Sequence, residues 1–544
     1  TSTKATSNVS LTQSNNQISG IASTSNGSAS LNISNVSSQA SLSGSASDAT
    51  SLENSLSISR ATLSAKGLSD AAIAKMLGAS FIADSTGFAK APTDAKKVKT
   101  FADLVNYAKD PSVTSIVLDN IITIPNGNYP TFNHTMSIYG NGYDIVMTAN
   151  TDRDNLRINS EDASDPAVVT FNDVNTYSAS QYGAFYLGPD GGTLVLNNVT
   201  MTGGTSIYSR TDGNGLKTIE IKGNVTSNMA QSFTIDKTTV KNTYFYSDKN
   251  NQGQNIGSTQ IYGGNHMIID DDAHLTLNGN TLADVGISLK DKGHSGQGHT
   301  LSVGNNAVLD IDGSNNVNIL MNQLNNYDYA TKFNNDFSNN FTVGIDATVN
   351  LSAGHANLVM GNNTTNDRVF TDRYKNNITI GQSTVKMNVD NISSNGYDGN
   401  IILGGDNYYE GNNQTDDNNF VSSNDQHFSS LANNGFYNNS TVNINNNANV
   451  TLSASGKAVN IISGAHTFTV VNITDPQQVV LINGGGRAYK TTGVDIKDTT
   501  KTTDAYIRPD IRVNTDYTNV QVTNPTDSTT SGTSDYISSG SSKV

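Results

Sequence analysis

The chain has 544 residues, of which 35% are hydrophobic and 15% are charged, and it carries a net charge of −15 at pH 7 with no Cys and no Trp. The absence of Cys excludes disulfides and thiolate metal sites, and the acidic charge argues against nucleic acid as a partner at neutral pH. No apolar run is long enough to span a membrane, so we expect no membrane insertion.

The N-terminal part of the chain has the composition of a low-complexity segment. Residues 1–66 consist mainly of Ser, Thr, Asn and Ala, with isolated Leu, Ile and Val. Such a segment cannot bury enough apolar surface to offset the entropy lost on ordering. We therefore predict a disordered stalk over 1–66 and a short helix and linker over 67–97. The Ser/Thr-rich residues 524–544 are predicted to form a second linker.

A short helix is predicted between Val98 and Asp110. Apolar residues recur at i, i+3, i+4 and i+7 and form one face, which consists of Phe101, Leu104, Val105 and Ala108. Thr100 is placed to cap this helix, with Asp103 at the third helical position, and Pro111 ends it. Because many strands follow, we expect the helix to cover the first open end of a stacked sheet.

From Thr114 onward, alternating apolar residues between Gly and Asn turns predict strands with one buried face. A unit of strand, tight turn ending in Ala, and strand recurs at Met267–Leu277, Leu301–Ile311, Phe341–Leu351 and Val442–Leu452. Ile378–Gly381 opens in the same way, and we assign its turn one extra residue. The unequal spacing of the units favours a solenoid with variable loops over a propeller, and we predict a parallel β-solenoid over 98–523.

Two motifs at the start of this region are similar to those of a known superfamily. An F-x-D-L-x-x-A-x-x-D-P-like helix is followed by an I-x-G-x-G-like turn, at Phe101, Asp103, Leu104, Ala108, Asp110, Pro111, Ile138, Gly140 and Gly142. They resemble the cap and first coils of right-handed parallel β-helix proteins of the pectate-lyase superfamily. The resemblance implies an all-β fold, a single-stranded right-handed parallel β-helix with a short N-terminal capping helix.

The layout of a folded region between Ser-rich arms resembles the binding region of lactobacillar serine-rich repeat adhesins. This resemblance implies a secreted or cell-surface protein, attached to the cell wall through regions outside this chain. It also implies pH-dependent binding to pectin-like acidic polysaccharide and to host epithelial or mucus glycoproteins. We expect a monomer that needs no cofactor.

Two alternatives to an adhesin remain at this stage, a polysaccharide lyase of the same superfamily and a purely structural stalk. A pectate lyase needs carboxylates that hold Ca²⁺ and an Arg that accepts a proton. The W-x-D-H-like motif of that family has no counterpart in a chain without Trp. The R-x-P-x-x-R-like motif is approached only by Arg508 and Arg512, with a displaced Pro. We therefore predict no catalytic residues.

The ligand-binding candidates are two clusters of basic and aromatic residues in this acidic chain. Sugar rings stack on aromatic faces and uronate carboxylates pair with Arg, although solvated turn charges would give the same pattern. The first cluster is Arg368, Arg373, Tyr374 and Lys375, and the second is Arg487, Tyr489, Lys490, Tyr506, Arg508 and Arg512.

Two groups of residues whose side chains can bind metal ions have a simpler interpretation. Asp270–Asp272 occupies the turn of the repeat, where Asp and Asn are favoured for backbone reasons. His294 and His299 are interpreted as part of a polar loop. We predict no metal site.

Overall fold

The structure is a computed structural model. It describes residues 8–14, 17–24, 27–35, 39–46, 88–148, 154–180, 182–235, 238–241, 258–289, 298–323, 337–362, 374–390, 399–403, 438–456, 458–463, 467–483, 488–491, 496–497, 506–507, 510–516 and 518–523.

The N-terminal segment contains a four-stranded antiparallel sheet where composition predicted a disordered stalk. Its strands are β1 (Asn8–Ser14), β2 (Gln17–Thr24), β3 (Gly27–Asn35) and β4 (Gln39–Ala46), paired in that order. The apolar residues stand at alternate positions, as Val9 and Leu11 do in β1, and this period of two suits a strand. The division into a stalk over 1–66 and a linker over 67–97 stays a prediction. The expected helix near 68–77 and the linker at 524–544 lie outside the described residues.

The predicted capping helix is confirmed as α1 (Phe101–Lys109). The Thr100 hydroxyl accepts a hydrogen bond from the Asp103 backbone N–H at 3.2 Å, and the Asp103 carboxylate accepts one from the Thr100 backbone N–H at 3.0 Å. This reciprocal capping box satisfies two donors that the helix itself leaves unpaired. Asp110 follows in extended backbone, before Pro111.

One face of α1 packs on the first coils of the solenoid. Leu104 and Ala108 are fully buried in the main core, and Phe101 and Tyr107 pack against it. Val105, which the periodicity placed on the apolar face, is only half-buried, and Tyr107 contributes to the core instead. The helix therefore closes the N-terminal end of the core, as predicted.

The rest of the described chain is dominated by one 32-stranded sheet. Its first strands are β5 (Lys96–Val98), β6 (Ser115–Leu118), β7 (Ile122–Ile124), β8 (Thr131–Phe132), β9 (Met136–Tyr139), β10 (Asp144–Met147), β11 (Leu156–Ile158), β12 (Val168–Asn172), β13 (Asn175–Ser178), β14 (Phe185–Leu187), β15 (Gly192–Gly203), β16 (Ile207–Ser209) and β17 (Lys217–Met229). A hairpin of β18 (Ser232–Ile235) and β19 (Thr238–Lys241) follows and forms its own two-stranded sheet.

The large sheet continues with β20 (Ser258–Tyr262), β21 (His266–Ile269), β22 (His274–Leu289), β23 (His299–Val303), β24 (Val308–Gln323), β25 (Phe337–Val343), β26 (Thr348–Ala353), β27 (Ala356–Asn362), β28 (Tyr374–Ile380), β29 (Thr384–Val389), β30 (Gly399–Leu403), β31 (Asn438–Ile444), β32 (Asn449–Ala454), β33 (Val459–Ser463), β34 (Thr467–Ile473), β35 (Gln478–Asn483), β36 (Tyr489–Thr491), β39 (Asp510–Asn514) and β40 (Val520–Thr523). A second small hairpin is formed by β37 (Ile496–Lys497) and β38 (Tyr506–Ile507).

The strand pairing confirms the predicted parallel β-solenoid. In the C-terminal half each strand pairs in parallel with the third strand after it, as β25 does with β28 and β28 with β31. Each turn of the chain therefore contributes three strands, one to each face of the solenoid. One inward column of register partners consists of Met136, Val169, Leu194, Ile219, Met267, Leu301, Phe341, Ile378, Val442, Val471 and Val513.

The tight turns of the repeat are confirmed. Ala273, Ala307, Ala347 and Ala448 are all buried. Each donates its backbone N–H to the carbonyl three residues earlier, as Ala273 does to Asp270 at 3.0 Å. The residue before each Ala has a positive φ between 55° and 62°, and Asp or Asn occupies that position each time, because these residues tolerate the left-handed region.

The turn after Ile380 departs from this pattern, and our residue count for it was wrong. The strand register pairs Val343 with Ile380 and Thr348 with Thr384. Four residues, 344–347, therefore connect β25 to β26. Only three residues, Gly381–Ser383, connect β28 to β29. The turn is one residue shorter than its neighbours, not one residue longer.

The I-x-G-x-G-like turn requires glycine for two different reasons. A Cβ on Gly140 would lie 2.4 Å from both the Asp173 carbonyl oxygen and the Val174 side chain, so this position has no room for a side chain. Gly142 has a φ of +75°, and the Phe88 ring lies where its Cβ would be. The motif therefore marks a close approach of two successive coils.

Buried asparagines form a hydrogen-bonded ladder along the C-terminal coils. Asn318, Asn357, Asn400, Asn460 and Asn483 are each linked by side-chain amides at 2.6–2.7 Å. They are at most 1% exposed. The ladder pairs these side-chain amides with one another in a low-dielectric interior, where an unpaired polar group is costly.

A second buried ladder includes a histidine that the sequence analysis placed in a polar loop. His299 is fully buried at the start of β23, and its Nδ1 lies 2.9 Å from Asn339 Oδ1. Asn339 in turn donates to Asn376, and Asn376 donates to Ser440. His299 is therefore part of the core, whereas His294 lies outside the described residues.

Candidate functional site

Most of the predicted binding residues lie where the structure describes no side chain. Arg368, Arg373, Arg487 and Arg508 are outside the described residues, and Tyr374, Lys490 and Tyr506 are placed only as strand backbone. Their roles stay predictions.

The three described candidates separate into one buried residue and two exposed residues. Tyr489 is only 1% exposed and packs in the main core, so it cannot contact a ligand from solvent and we remove it from the candidates. Lys375 and Arg512 are exposed. The Arg512 guanidinium carbon lies 5.6 Å from the ring centroid of Phe468, which is within cation–π range.

The register brings Lys375 and Arg512 onto the same face. Lys375 pairs with Asn439, and Asn439 pairs with Phe468, the residue that lies under Arg512. With neighbouring strands about 4.8 Å apart, Lys375 and Phe468 are about 10 Å apart along the solenoid. One described residue of each predicted cluster therefore lies near Phe468 on this face, and we call these residues the patch around Phe468.

A second site, which the sequence analysis missed, is a column of tyrosines with an arginine at one end. Successive register partners in β11, β14, β16 and β20 are Arg157, Tyr186, Tyr208 and Tyr262. Their neighbours along each strand are core residues such as Leu187 and Ile207, so the column points away from the core. We call Arg157 and these tyrosines, with Tyr129 and Tyr182, the tyrosine–arginine surface.

The tyrosine rings pack on each other along the solenoid. Tyr208 stacks on Tyr262 with centroids 4.7 Å apart and planes at 7°, and Tyr186 stacks on Tyr208 at 5.5 Å and 17°. Tyr182 lies against the same pair, 4.5 Å from Tyr208. Each such pair contributes about 0.5–1.5 kcal/mol. Because the faces of the inner rings are covered, these tyrosines stabilise the surface and offer a ligand mainly their edges and hydroxyls.

Arg157 lies between two aromatic rings at the N-terminal end of the column. Its guanidinium carbon is 3.8 Å from the Tyr129 centroid and 4.4 Å from the Tyr186 centroid. Its Nε donates to Asn155 Oδ1 at 2.9 Å, which fixes the plane of the guanidinium. Tyr129 is 43% exposed. The result is a cation held rigidly beside an accessible aromatic ring, and each cation–π contact contributes about 0.5–2 kcal/mol.

A second arginine reaches the same surface from the loop after β16. Arg210 binds both carboxylate oxygens of Asp212, at 2.7 and 2.6 Å, and its Nη1 reaches the Tyr186 hydroxyl at 3.5 Å. Hydrogen bonding from Arg210 lowers the pKa of Asp212, and burial raises the pKa of the Tyr208 hydroxyl. Asp212 therefore stays ionised and Tyr208 neutral across the physiological pH range.

A weak signal for this surface is visible in the sequence. An apolar–Tyr pair recurs as Phe185–Tyr186, Ile207–Tyr208 and Ile261–Tyr262. The pairs are unequally spaced because the intervening loops differ in length, so alignment of the sequence with itself does not reveal them.

Within the described ranges, His, Asp and Glu side chains form no group of three that could hold a metal ion. Among the helices in the described part of the chain, none is long and apolar enough to cross a membrane.

Comparison with known proteins gives one family match. Residues 95–208 match the model of a family described as "Putative pectate lyase-like adhesive domain". The segment contains α1, the I-x-G-x-G-like turn and most of the tyrosine–arginine surface. The match supports the predicted resemblance to pectate-lyase-like adhesins for this part of the chain.

Two solved structures are similar to the chain. "L. reuteri 53608 SRRP" is 23% identical with a TM-score of 0.43, and the match covers 57% of this chain and 92% of that one. "L. reuters 100-23 SRRP" is 19% identical with a TM-score of 0.44, and the match covers 72% of this chain and 99% of that one. No curated protein matches the sequence.

Proposed function

We propose that this chain is the binding region of a bacterial cell-surface adhesin, which binds acidic polysaccharide without cleaving it. The family match to an adhesive domain over 95–208 supports an adhesive role. The proposed ligands are pectin-like polyuronates and acidic glycans of host epithelial or mucus glycoproteins. Binding is proposed to be reversible, and to strengthen as the pH falls.

The observation that carries this proposal is the position of Arg157 between Tyr129 and Tyr186. A guanidinium held between rings loses little conformational freedom when it binds a carboxylate, and its planar donors match the two carboxylate oxygens. The exposed ring of Tyr129 offers an apolar face for the C–H groups of an adjacent sugar. A uronate unit contains both features, a carboxylate and a sugar ring.

The charge of the whole chain supports the pH dependence. At pH 7 the net charge of −15 repels a polyuronate at long range. Near pH 4 many exposed carboxylates are protonated, whereas Arg157 and Arg210 remain charged. Screening by salt shortens the reach of both effects, so binding near pH 4 is also expected to weaken as salt is added.

The test compares two charge-removing variants for binding to immobilised polygalacturonate near pH 4. Arg157→Gln is expected to weaken binding roughly tenfold or more, because a carboxylate loses its charged partner. Lys386→Gln removes the same charge from an exposed residue of β29, on coils C-terminal to the tyrosine–arginine surface, and is expected to change binding less than twofold.

Equal effects of the two variants would show that only net charge matters, and would remove Arg157 from the site. Arg512→Gln tests the patch around Phe468 in the same assay. If Arg512→Gln alone abolishes binding, the ligand binds the C-terminal patch instead. Affinity that is flat or lower near pH 4 than near pH 7 would refute the electrostatic basis of the proposal.

A further inference from the structure

The shortened turn at Gly381–Ser383 leaves a recess between the longer turns of the neighbouring coils. Neighbouring coils make this corner with four-residue turns, and their third residue has a positive φ, as Asp346 and Asn447 do. None of the three residues of the short turn has a positive φ. The chain therefore takes a shorter path here, and Ser383 replaces the buried Ala of the repeat, with its hydroxyl bonded to the Gly381 carbonyl at 3.0 Å.

The recess has a volume of about 400 Å³. Asp346 forms one wall, Gln382 and Thr384 lie on the floor, and Asn447 and Gln477 form the opposite wall. Sites for small ligands usually have volumes of about 300–1,000 Å³, so one sugar unit fits this space. The recess lies at the corner between two faces, on coils C-terminal to those that carry the tyrosine–arginine surface.

The polar groups of the recess suit hydroxyl groups. Gln382 Nε2 donates to Asp346 Oδ1 at 3.1 Å, which orients one carboxylate and one amide side by side. The side-chain amides of Asn447 and Gln477 make no hydrogen bond to any described residue. Amides offer a donor and an acceptor close together, and a carboxylate accepts two hydrogen bonds. Neighbouring hydroxyls of a sugar present the complementary pattern.

We propose that this recess binds one neutral sugar unit of a glycan. Among the described residues that line it, Asp346 carries the only charged group, so a uronate carboxylate would be repelled. None of these lining residues is aromatic, so hydrogen bonds carry the affinity, which we expect to be on the order of 1 mM for a free glycoside. The recess is separate from the tyrosine–arginine surface. It is proposed to exclude the anionic uronates that the tyrosine–arginine surface is proposed to bind.

The first test titrates the protein with methyl glucoside, methyl galactoside and methyl galacturonide, followed by saturation-transfer NMR. At least one neutral glycoside is expected to bind, and the galacturonide is not expected to bind the recess. Gln477→Ala is expected to weaken neutral binding roughly three- to tenfold, because one amide partner is lost. Gln478→Ala, the next residue and also exposed, is the matched control and should leave binding unchanged.

The second test fills the recess. Inserting one Asn between Gln382 and Ser383 restores a four-residue turn with a residue suited to positive φ, and this is expected to abolish neutral binding while the circular dichroism spectrum stays unchanged. Asp346→Asn, a point variant that does not depend on the insertion folding, should weaken neutral binding and relax the rejection of galacturonide. Binding that survives both changes, or recess residues that respond to Ca²⁺ but to no glycoside, would overturn the proposal. The recess proposal rests on residues other than those of the polyuronate site. Because Arg157→Gln changes only the polyuronate site, neutral glycosides should bind this variant as they bind the unchanged protein. The two proposals can therefore fail independently.

Discussion

Replacing Asn400 by Ala tests whether the buried asparagine ladder stabilises the solenoid. Asn400 is fully buried. It accepts a hydrogen bond from Asn357 at 2.7 Å, and it donates to Asn460 Oδ1 at 2.7 Å and to the Ser453 carbonyl at 2.9 Å. Ala removes all three bonds and leaves the partner groups inside the core without water.

The expected loss in the free energy of unfolding follows from the number of polar groups that Asn400→Ala leaves without a partner. Each buried polar group that loses its partner costs about 1–3 kcal/mol, and some relaxation is expected, so the free energy of unfolding should fall by about 3–5 kcal/mol. Asn514→Ala is the matched control. Its side chain makes one exposed bond to Asn472 at 2.8 Å, and we expect a loss below about 1 kcal/mol.

Denaturant unfolding measures both variants, and amide hydrogen exchange locates the effect. Because a solenoid coil contacts only its neighbours, faster exchange in Asn400→Ala should be concentrated in β27, β30 and β33. Equal stability losses in the two variants would refute the reasoning, since burial would then make no difference. Faster exchange spread evenly over all coils would refute the expectation that the effect is confined to neighbouring coils.

Three further outcomes are expected. Gly140→Ala should destabilise the protein by about 1–3 kcal/mol because its Cβ would meet the next coil, whereas Gly381→Ala, whose Cβ would lie 3.7 Å from its nearest atom, should cost clearly less in the same denaturant assay. Burial and the neighbouring Glu220 raise the pKa of Asp270 to about 6, so its contribution to stability is complete below its unfolded pKa of 3.8 and is lost as the pH rises through about 6. Asp270→Asn should therefore reduce the fall in stability between about pH 4 and about pH 7, and an unchanged fall would contradict this assignment. Incubation with polygalacturonate, with or without Ca²⁺, should release no unsaturated uronides detectable by ultraviolet absorbance, and steady release that Arg508→Ala or Arg512→Ala abolishes would show lyase activity.

The features predicted correctly from the sequence are the local ones. The capping box needs only Thr100 and Asp103 three residues apart, and the repeat turns need only an Asp or Asn before a buried Ala. Both patterns are complete within a dozen residues. Parallel stacking then follows, because identical units present the same apolar face to one another.

The features that were missed depend on which residues of distant coils meet. Tyr208 and Tyr262 are register partners, yet their separation in sequence is set by an insertion whose length nothing in the strands encodes. The basic neighbours of Tyr489 predict an exposed ring, whereas its register partner is the buried Ile461 and the ring packs in the core.

Under the proposed function, the column of Arg157, Tyr186, Tyr208 and Tyr262 limits the length of polyuronate that the protein can contact. After Tyr262 the register partners are Ser288, Leu320, Val359, Ile402 and Ile462, and all of them are at most 4% exposed. Among the described residues of this column, a ligand that follows it from Arg157 therefore meets no accessible side chain beyond Tyr262.

From Arg157 to Tyr262 the column rises through three strand spacings, or about 14 Å. We therefore expect the affinity of oligogalacturonides for the protein to increase with length until the ligand spans about 14 Å, and then to level off. Isothermal titration with a length series at acid pH measures this, with Arg157→Gln as the control in which the length dependence is lost. Affinity that keeps rising with every added unit would show that the ligand continues along another face, toward Lys375 and Arg512.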